Sequence, residues 1–188
     1  MNLPNKLTVV RIVLTPFFLA AMLLKLNYNI NYLIAAVIFI AASVTDFLDG
    51  RIARKNGIVT TFGKLCDPLA DKMLTTAALL AFMQLGVCNI WIVMTVLTRE
   101  FLITSFRLVA AAQGVVIAAG KAGKLKTASQ MIFSIIIMLL LFFADILGIE
   151  QETVSLISNI LLGITAALAV ISGVKYIIDG KKVIDFSK

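Results

Sequence analysis

Asp46-Phe-Leu-Asp49-Gly50-Arg-Ile-Ala53-Arg54, then eight residues, then Gly63-Lys-Leu-Cys-Asp67-Pro-Leu-Ala-Asp71, is the stretch on which the reading of this chain turns. Four of the ten acidic residues fall in these 26 positions, with apolar sequence on both sides. Asp46 and Asp49 are three apart and Asp67 and Asp71 four apart, so on helices each pair shares a face. Gly50, Ala53 and Gly63 continue those faces with residues that take almost no room. Two helix ends joined by a short loop can bring the four carboxylates to one site, where like charges repel unless cations sit among them. Oxygen donors alone, with no His and no thiolate pair, suit a hard cation such as Mg²⁺ or Mn²⁺. Arg54 adds a planar fork suited to phosphate. The plainer alternative is that these acids are ordinary solvated caps of membrane helices, which do not need Gly and Ala interleaved at fixed spacing.

Composition sets the surroundings of that stretch. Of 188 residues, 61% are hydrophobic and the mean hydropathy is +1.03. A soluble domain sits near 45–50% apolar, so the sequence predicts an integral membrane protein with room for one domain, residues 1–188. In so apolar a chain the net charge of +7 reads as cytoplasmic loops and anionic headgroups, and no nucleic-acid partner is expected. The absence of His removes His-based acid–base chemistry, Ser/His triads and His metal sites. Cys66 and Cys88 are too few for a disulfide framework, and helix packing is the default for Cys66. No cleavable signal pattern precedes the first apolar segment, which is expected to stay in the mature protein.

A helix crossing the bilayer core needs ~20 apolar residues. Six segments qualify: Leu7–Leu26, Asn31–Arg54, Gly63–Leu85, Asn89–Ala112, Lys124–Leu147 and Thr153–Ile178. The expected fold is therefore all-α with six transmembrane helices. Residues 1–6, with Asn2, Pro4 and Asn5, are expected to be a short interfacial segment, and Asn5 or Thr8 to cap the first helix. Lys and Arg cluster at the start (Lys6, Arg11), around the Asp stretch (Arg51, Arg54, Lys55, Lys64), between the fourth and fifth spans (Lys121, Lys124, Lys126) and at the C-terminal end (Lys175, Lys181, Lys182, Lys188). The opposite ends hold Lys25 alone, with Asp145, Glu150 and Glu152. The positive-inside rule then puts both termini and the Asp stretch on the cytoplasmic face of the membrane.

Arg11, Arg99, Glu100 and Arg107 lie inside or at the edge of apolar spans, where charge is costly, so they should face the bundle interior or a watery cavity. Arg99 and Glu100 are adjacent and are not expected to share a face; an internal salt bridge for either is the structural alternative, and snorkelling is that for Arg107. Gly120-Lys121-Ala-Gly123-Lys124-Leu-Lys126-Thr127 places three Lys and two Gly just before the fifth span, a phosphate-binding lip at a helix start or else a basic cluster touching anionic lipid. In the last span, Ser158, Asn159 and Gly163 read as packing residues.

The spacing D-x2-D-G-x2-A-R-x8-G-x3-D-x3-D resembles the signature of the CDP-alcohol phosphatidyltransferases, with all eight fixed positions matched. Pro4-Asn5-Lys-Leu-Thr8-Val-Val-Arg11 fits an opening common in that family. Thr98-Arg99-Glu100 and the G-K-x-x-K-x-K-T stretch at 120–127 resemble the branch that makes phosphatidylglycerophosphate. The resemblance implies transfer of a phosphatidyl group from CDP-diacylglycerol to sn-glycerol 3-phosphate, with release of CMP, by a homodimer in the bacterial cytoplasmic membrane. Asp46, Asp49, Asp67 and Asp71 would hold two divalent ions, and Asp71 would also be the general base. Asp46, Asp49, Gly50, Ala53, Arg54, Gly63 and Asp67 would receive the CDP-diacylglycerol headgroup while its tails stay among the membrane lipids. Charge matching assigns the acceptor phosphate to Thr8, Arg11, Thr60, Lys64, Arg107, Lys121, Lys124 and Lys126. Inositol phosphate or serine as acceptor, and a divalent-cation transporter, are the rival readings.

Overall fold

The computed structural model describes residues 3–24, 26, 29–56, 61–114 and 120–180; for residues 3–5, 46–56, 61–68, 71 and 121 it describes the backbone alone. Among the described residues six helices follow one another: α1 Leu3–Leu23, α2 Ile30–Asn56, α3 Thr61–Gln84, α4 Ile90–Ala112, α5 Lys121–Leu147 and α6 Gln151–Gly180. Among the described residues there is no strand. The shortest helix has 21 residues, about 32 Å at 1.5 Å per residue, enough for a hydrocarbon core of about 30 Å. By length and apolarity together, three helices among the described residues could cross a membrane, those at Lys6–Leu23, Ala122–Leu147 and Gln151–Gly180. The apolar run of α4 is interrupted by Arg99, Glu100 and Arg107, and that of α2 is described as Ile30–Thr45.

Two helix starts differ from the sequence expectation. α1 begins at Leu3, so Pro4 and Asn5 lie in its first turn and Thr8 lies inside the helix. Proline is tolerated there because the first N–H groups of a helix have no intrahelical partner. α5 begins at Lys121 after extended backbone at Gly120. The basic stretch is therefore the first two turns of a helix and not a loop before it; lysine is a good helix former.

α1 packs on α2 and α3, α2 also on α5, and α6 on both α4 and α5. The α1–α2–α3 contact is built on small side chains, Ala21, Ala35, Ala36, Ala42, Ala77, Ala78 and Ala81, all buried. Small residues let helix backbones approach closely. Phe18, Phe39 and Phe82 fill the space between, with the Phe18 and Phe39 rings 5.5 Å apart. Large apolar side chains such as Phe17, Phe101, Leu108, Ile132 and Ile171 face outward, the pattern of a bundle whose surroundings are apolar too.

One end of the bundle is fastened by α6. Asn159 Oδ1 accepts the Asn89 backbone N–H at 2.8 Å and its Nδ2 donates to the Ser155 and Val87 carbonyls. Ser155 Oγ donates to the Gly86 carbonyl and Gln151 Nε2 to that of Leu85. Asn89 in turn caps α4 by accepting the Trp91 N–H. Asn159 is thus more than a packing residue: it holds the turn between α3 and α4.

Candidate active site

The opposite end carries the Asp stretch. Positions 46, 49, 50, 53 and 54 lie in the last turns of α2, and 63, 67 and 71 in the first turns of α3, with residues 57–60 between the two helices. So short a connection puts both helix ends at the same end of the bundle. The side chains of the four Asp, of Arg54, Lys64 and Lys121, and the whole of Thr60, lie outside the described residues. The donor set, four carboxylate positions on two helix ends joined by a short connection, fits hard divalent cations.

Around these positions the described residues form a polar layer. On α1, Thr8 and Arg11 are buried, and Arg11 Nε donates to the Ala42 carbonyl, one turn before Asp46, at 3.3 Å. On α3, Lys72, the neighbour of Asp71, donates to Thr104 Oγ1 of α4, and the same hydroxyl donates to the Glu100 carbonyl at 2.7 Å. Glu100 Oε1 accepts from Arg99 Nη1 at 2.9 Å and from Lys126 Nζ at 2.7 Å. Lys126 Nζ also donates to Gln130 Oε1 at 2.5 Å, and Arg99 Nη2 to Ser172 Oγ of α6 at 3.1 Å.

Several sequence expectations are refined by this geometry. Arg99 and Glu100 do meet, although neighbours on a helix point about 100° apart; both side chains are long, and they lean together toward α5 and α6. Lys126, read as a phosphate ligand, is buried and ion-paired with Glu100, whereas Lys124 and Arg107 are exposed. Lys72, Thr104, Gln130 and Ser172 were not singled out by the sequence. Lys72 follows Asp71 directly and Gln130 is one turn after Lys126; those offsets were the available signals. Arg99 also lines a cavity of about 380 Å³ between α4 and α6, otherwise walled by residues such as Met94, Leu102, Val170 and Ile177.

A family model described as CDP-alcohol phosphatidyltransferase matches residues 1–173. The CDP-diacylglycerol–glycerol-3-phosphate 3-phosphatidyltransferase of Bacillus subtilis is 44% identical over 141 residues, 70% of this chain and 73% of its own. The protein of the same name from Rickettsia typhi is 35% identical over 181 residues, 93% of this chain and 94% of its own. A protein named probable phosphatidylglycerophosphate synthase, from Mycobacterium tuberculosis, is 40% identical over 132 residues, 70% of this chain and 63% of its own. Matched along nearly its whole length, and carrying the acidic positions on two helix ends at one end of an all-helical bundle, the chain belongs to the CDP-alcohol phosphatidyltransferase family.

Proposed function

We infer that this protein transfers the phosphatidyl group of CDP-diacylglycerol to sn-glycerol 3-phosphate, giving phosphatidylglycerophosphate and CMP. The observation that carries the reading is the likeness, over 93% of the chain, to a relative of that name. The divalent-cation transporter is displaced by membership of a transferase family.

The family is generally divalent-metal dependent. Asp46, Asp49, Asp67 and Asp71 are the residues that would hold Mg²⁺ or Mn²⁺, two ions in our reading, whose charge would steady the diphosphate and the departing CMP. Asp71, last in the motif, takes the proton from the acceptor hydroxyl. The freed oxygen forms a bond to the phosphorus that bears the diacylglycerol, and the bond from that phosphorus to the CMP oxygen breaks. Gly50, Ala53 and Gly63 leave room for the nucleotide beside the backbone, and Arg54 steadies its phosphates. Thr8, Arg11, Thr60, Lys64, Arg107, Lys121, Lys124 and Lys126 gather the acceptor phosphate.

All six helices cross the membrane in this reading, with both termini and the active site cytoplasmic. Lys and Arg concentrate at the Asp end, whereas Trp91 at the opposite end is 76% exposed, suited to a headgroup layer. The working unit is taken to be a homodimer. The test of the reaction is an acceptor panel on purified protein in detergent with CDP-diacylglycerol and Mg²⁺. CMP release with glycerol 3-phosphate, and little with inositol phosphate or serine, is expected. Turnover with serine and none with glycerol 3-phosphate would reject the assigned acceptor.

A further inference from the structure

Glu100 stands where α4 meets α5 and α6. Two ion pairs end on its Oε1, one from Arg99 and one from Lys126. Lys126 is 2% exposed, and Gln130 and Ser172 are similarly buried. A buried ionic cluster of this kind costs desolvation, and apolar side chains of similar volume often pack as stably. Stability alone therefore does not account for it.

Its placement supplies the rest. Arg99 is pressed into a slot lined by two glycines: a Cβ at Gly173 of α6 would come within 3.1 Å of Arg99 Cγ, and one at Gly123 of α5 within 3.5 Å of Nη2. Gly123 belongs to the basic start of α5, so a guanidinium lies against a helix turn that already carries Lys121, Lys124 and Lys126. The Glu100 carboxylate is what makes that approach tolerable, by giving Arg99 and Lys126 a common counter-charge. On the other side, Thr104, one turn along α4, takes the Lys72 ammonium beside Asp71. A single turn of α4, residues 100–104, thus touches α3 next to the closing Asp and α5 at its basic start.

We propose that Glu100 is the positioning residue of the acceptor site. It holds Lys126 and, through Arg99, the first turns of α5, so that the cations for the phosphate end of the acceptor stand at a fixed separation from Asp71, where its hydroxyl reacts. The proposal rests on glycerol 3-phosphate being the acceptor. The gain is pre-organisation: a long lysine side chain loses its rotamer freedom on folding and not on binding.

The experiment compares the parent, E100A, E100Q, E100D, K126A and the double variant E100A/K126A, as full chains in detergent, by kinetics against each substrate and by thermal unfolding. Expected is a rise of roughly tenfold or more in the acceptor KM for E100A, with the KM for CDP-diacylglycerol within about twofold. E100D, which keeps the charge, should recover part of the loss. The double variant should be no worse than K126A, because Glu100 acts through Lys126. An unchanged acceptor KM, additive effects, or both KM values and kcat moving together with a fall in Tm would overturn the proposal. So would failure of both E100A and E100Q to fold, which would make Glu100 structural. A parent protein that releases no CMP with glycerol 3-phosphate would instead reject the reading on which the proposal stands.

Discussion

Among the described residues of the proposed acceptor set, Arg107 and Lys124 are exposed, which makes them the clean residues to remove. Neither truncation opens a cavity in the core, and each takes away one cation. A charge-assisted contact is worth about 1.5–3 kcal/mol, so Arg107→Ala and Lys124→Ala should each weaken apparent acceptor affinity about tenfold to a hundredfold, seen as a raised KM for glycerol 3-phosphate with that for CDP-diacylglycerol unmoved. Changes confined to the CDP-diacylglycerol KM would remove both from the acceptor pocket. The Asp positions should behave differently. Asp46→Asn, Asp49→Asn and Asp67→Asn preserve shape and remove charge, so turnover should vanish while the folded protein still enters the membrane. Asp71→Asn should lose turnover yet keep CDP-diacylglycerol binding, measured by equilibrium titration with a labelled nucleotide lipid; binding lost in step with turnover would make Asp71 chiefly a ligand. The spacing of these residues was legible because helical periodicity turns intervals of three and four into a shared face. At Arg99 and Glu100 an internal salt bridge was foreseen as the alternative, but Lys126 and Ser172 as partners were not, because periodicity says which residues share a helix face and not which neighbouring helix that face will meet.

At the scale of elements, the turn between α3 and α4 depends on α6. Asn159→Ala removes the acceptor for the Asn89 N–H and the donor to two carbonyls. Leaving such groups unpaired costs about 1–3 kcal/mol, to be read as a fall in Tm with both KM values unchanged, because the turn is at the far end from the Asp positions. A shift in acceptor KM instead would mean that the two ends are coupled. Cys88 in the same turn offers a probe. Burial pushes its thiol up from the ordinary value of 9.0 to about 11. The thiolate is the nucleophile, so at pH 8 alkylation of Cys88, followed by peptide mass spectrometry, should be slow in the folded protein and fast in denaturant. The linkage sign follows: the folded state disfavours the thiolate, so this contribution to stability is complete below pH 9 and is lost as pH rises through about 11. Fast labelling of folded protein at pH 8 would mean that the turn opens readily. The role of Asn159 could not be read in the sequence, since a polar residue in an apolar helix announces a hydrogen bond but not its partner.

For the molecule as a whole, hydrophobic segments marked out all six helices, although among the described residues only three are long and apolar enough together to cross a membrane. The differences fall at helix ends, at Leu3 and Lys121, where proline in a first turn and lysines after a glycine continue a helix that apolarity no longer signals. Orientation is the prediction that belongs at this scale. A reporter fluorescent only in the cytoplasm, fused after Lys188, should be bright, whereas alkaline phosphatase at the same point, active only outside, should be silent. The reverse pair would invert the bundle and put the Asp positions on the wrong side for a cytoplasmic acceptor.

The fastening of the α3–α4 turn by α6 also has a meaning in time. The carbonyls of Leu85, Gly86 and Val87 find partners on Gln151, Ser155 and Asn159, and the Asn89 N–H finds Asn159, a residue 70 positions further along the chain. At a synthesis rate of about 5–20 residues per second, those partners emerge about 4–14 s later. The nascent hairpin must wait through that interval with its turn unfastened, kept tolerable by water, and arrival of the last helix closes the far end of a bundle whose Asp positions were made long before.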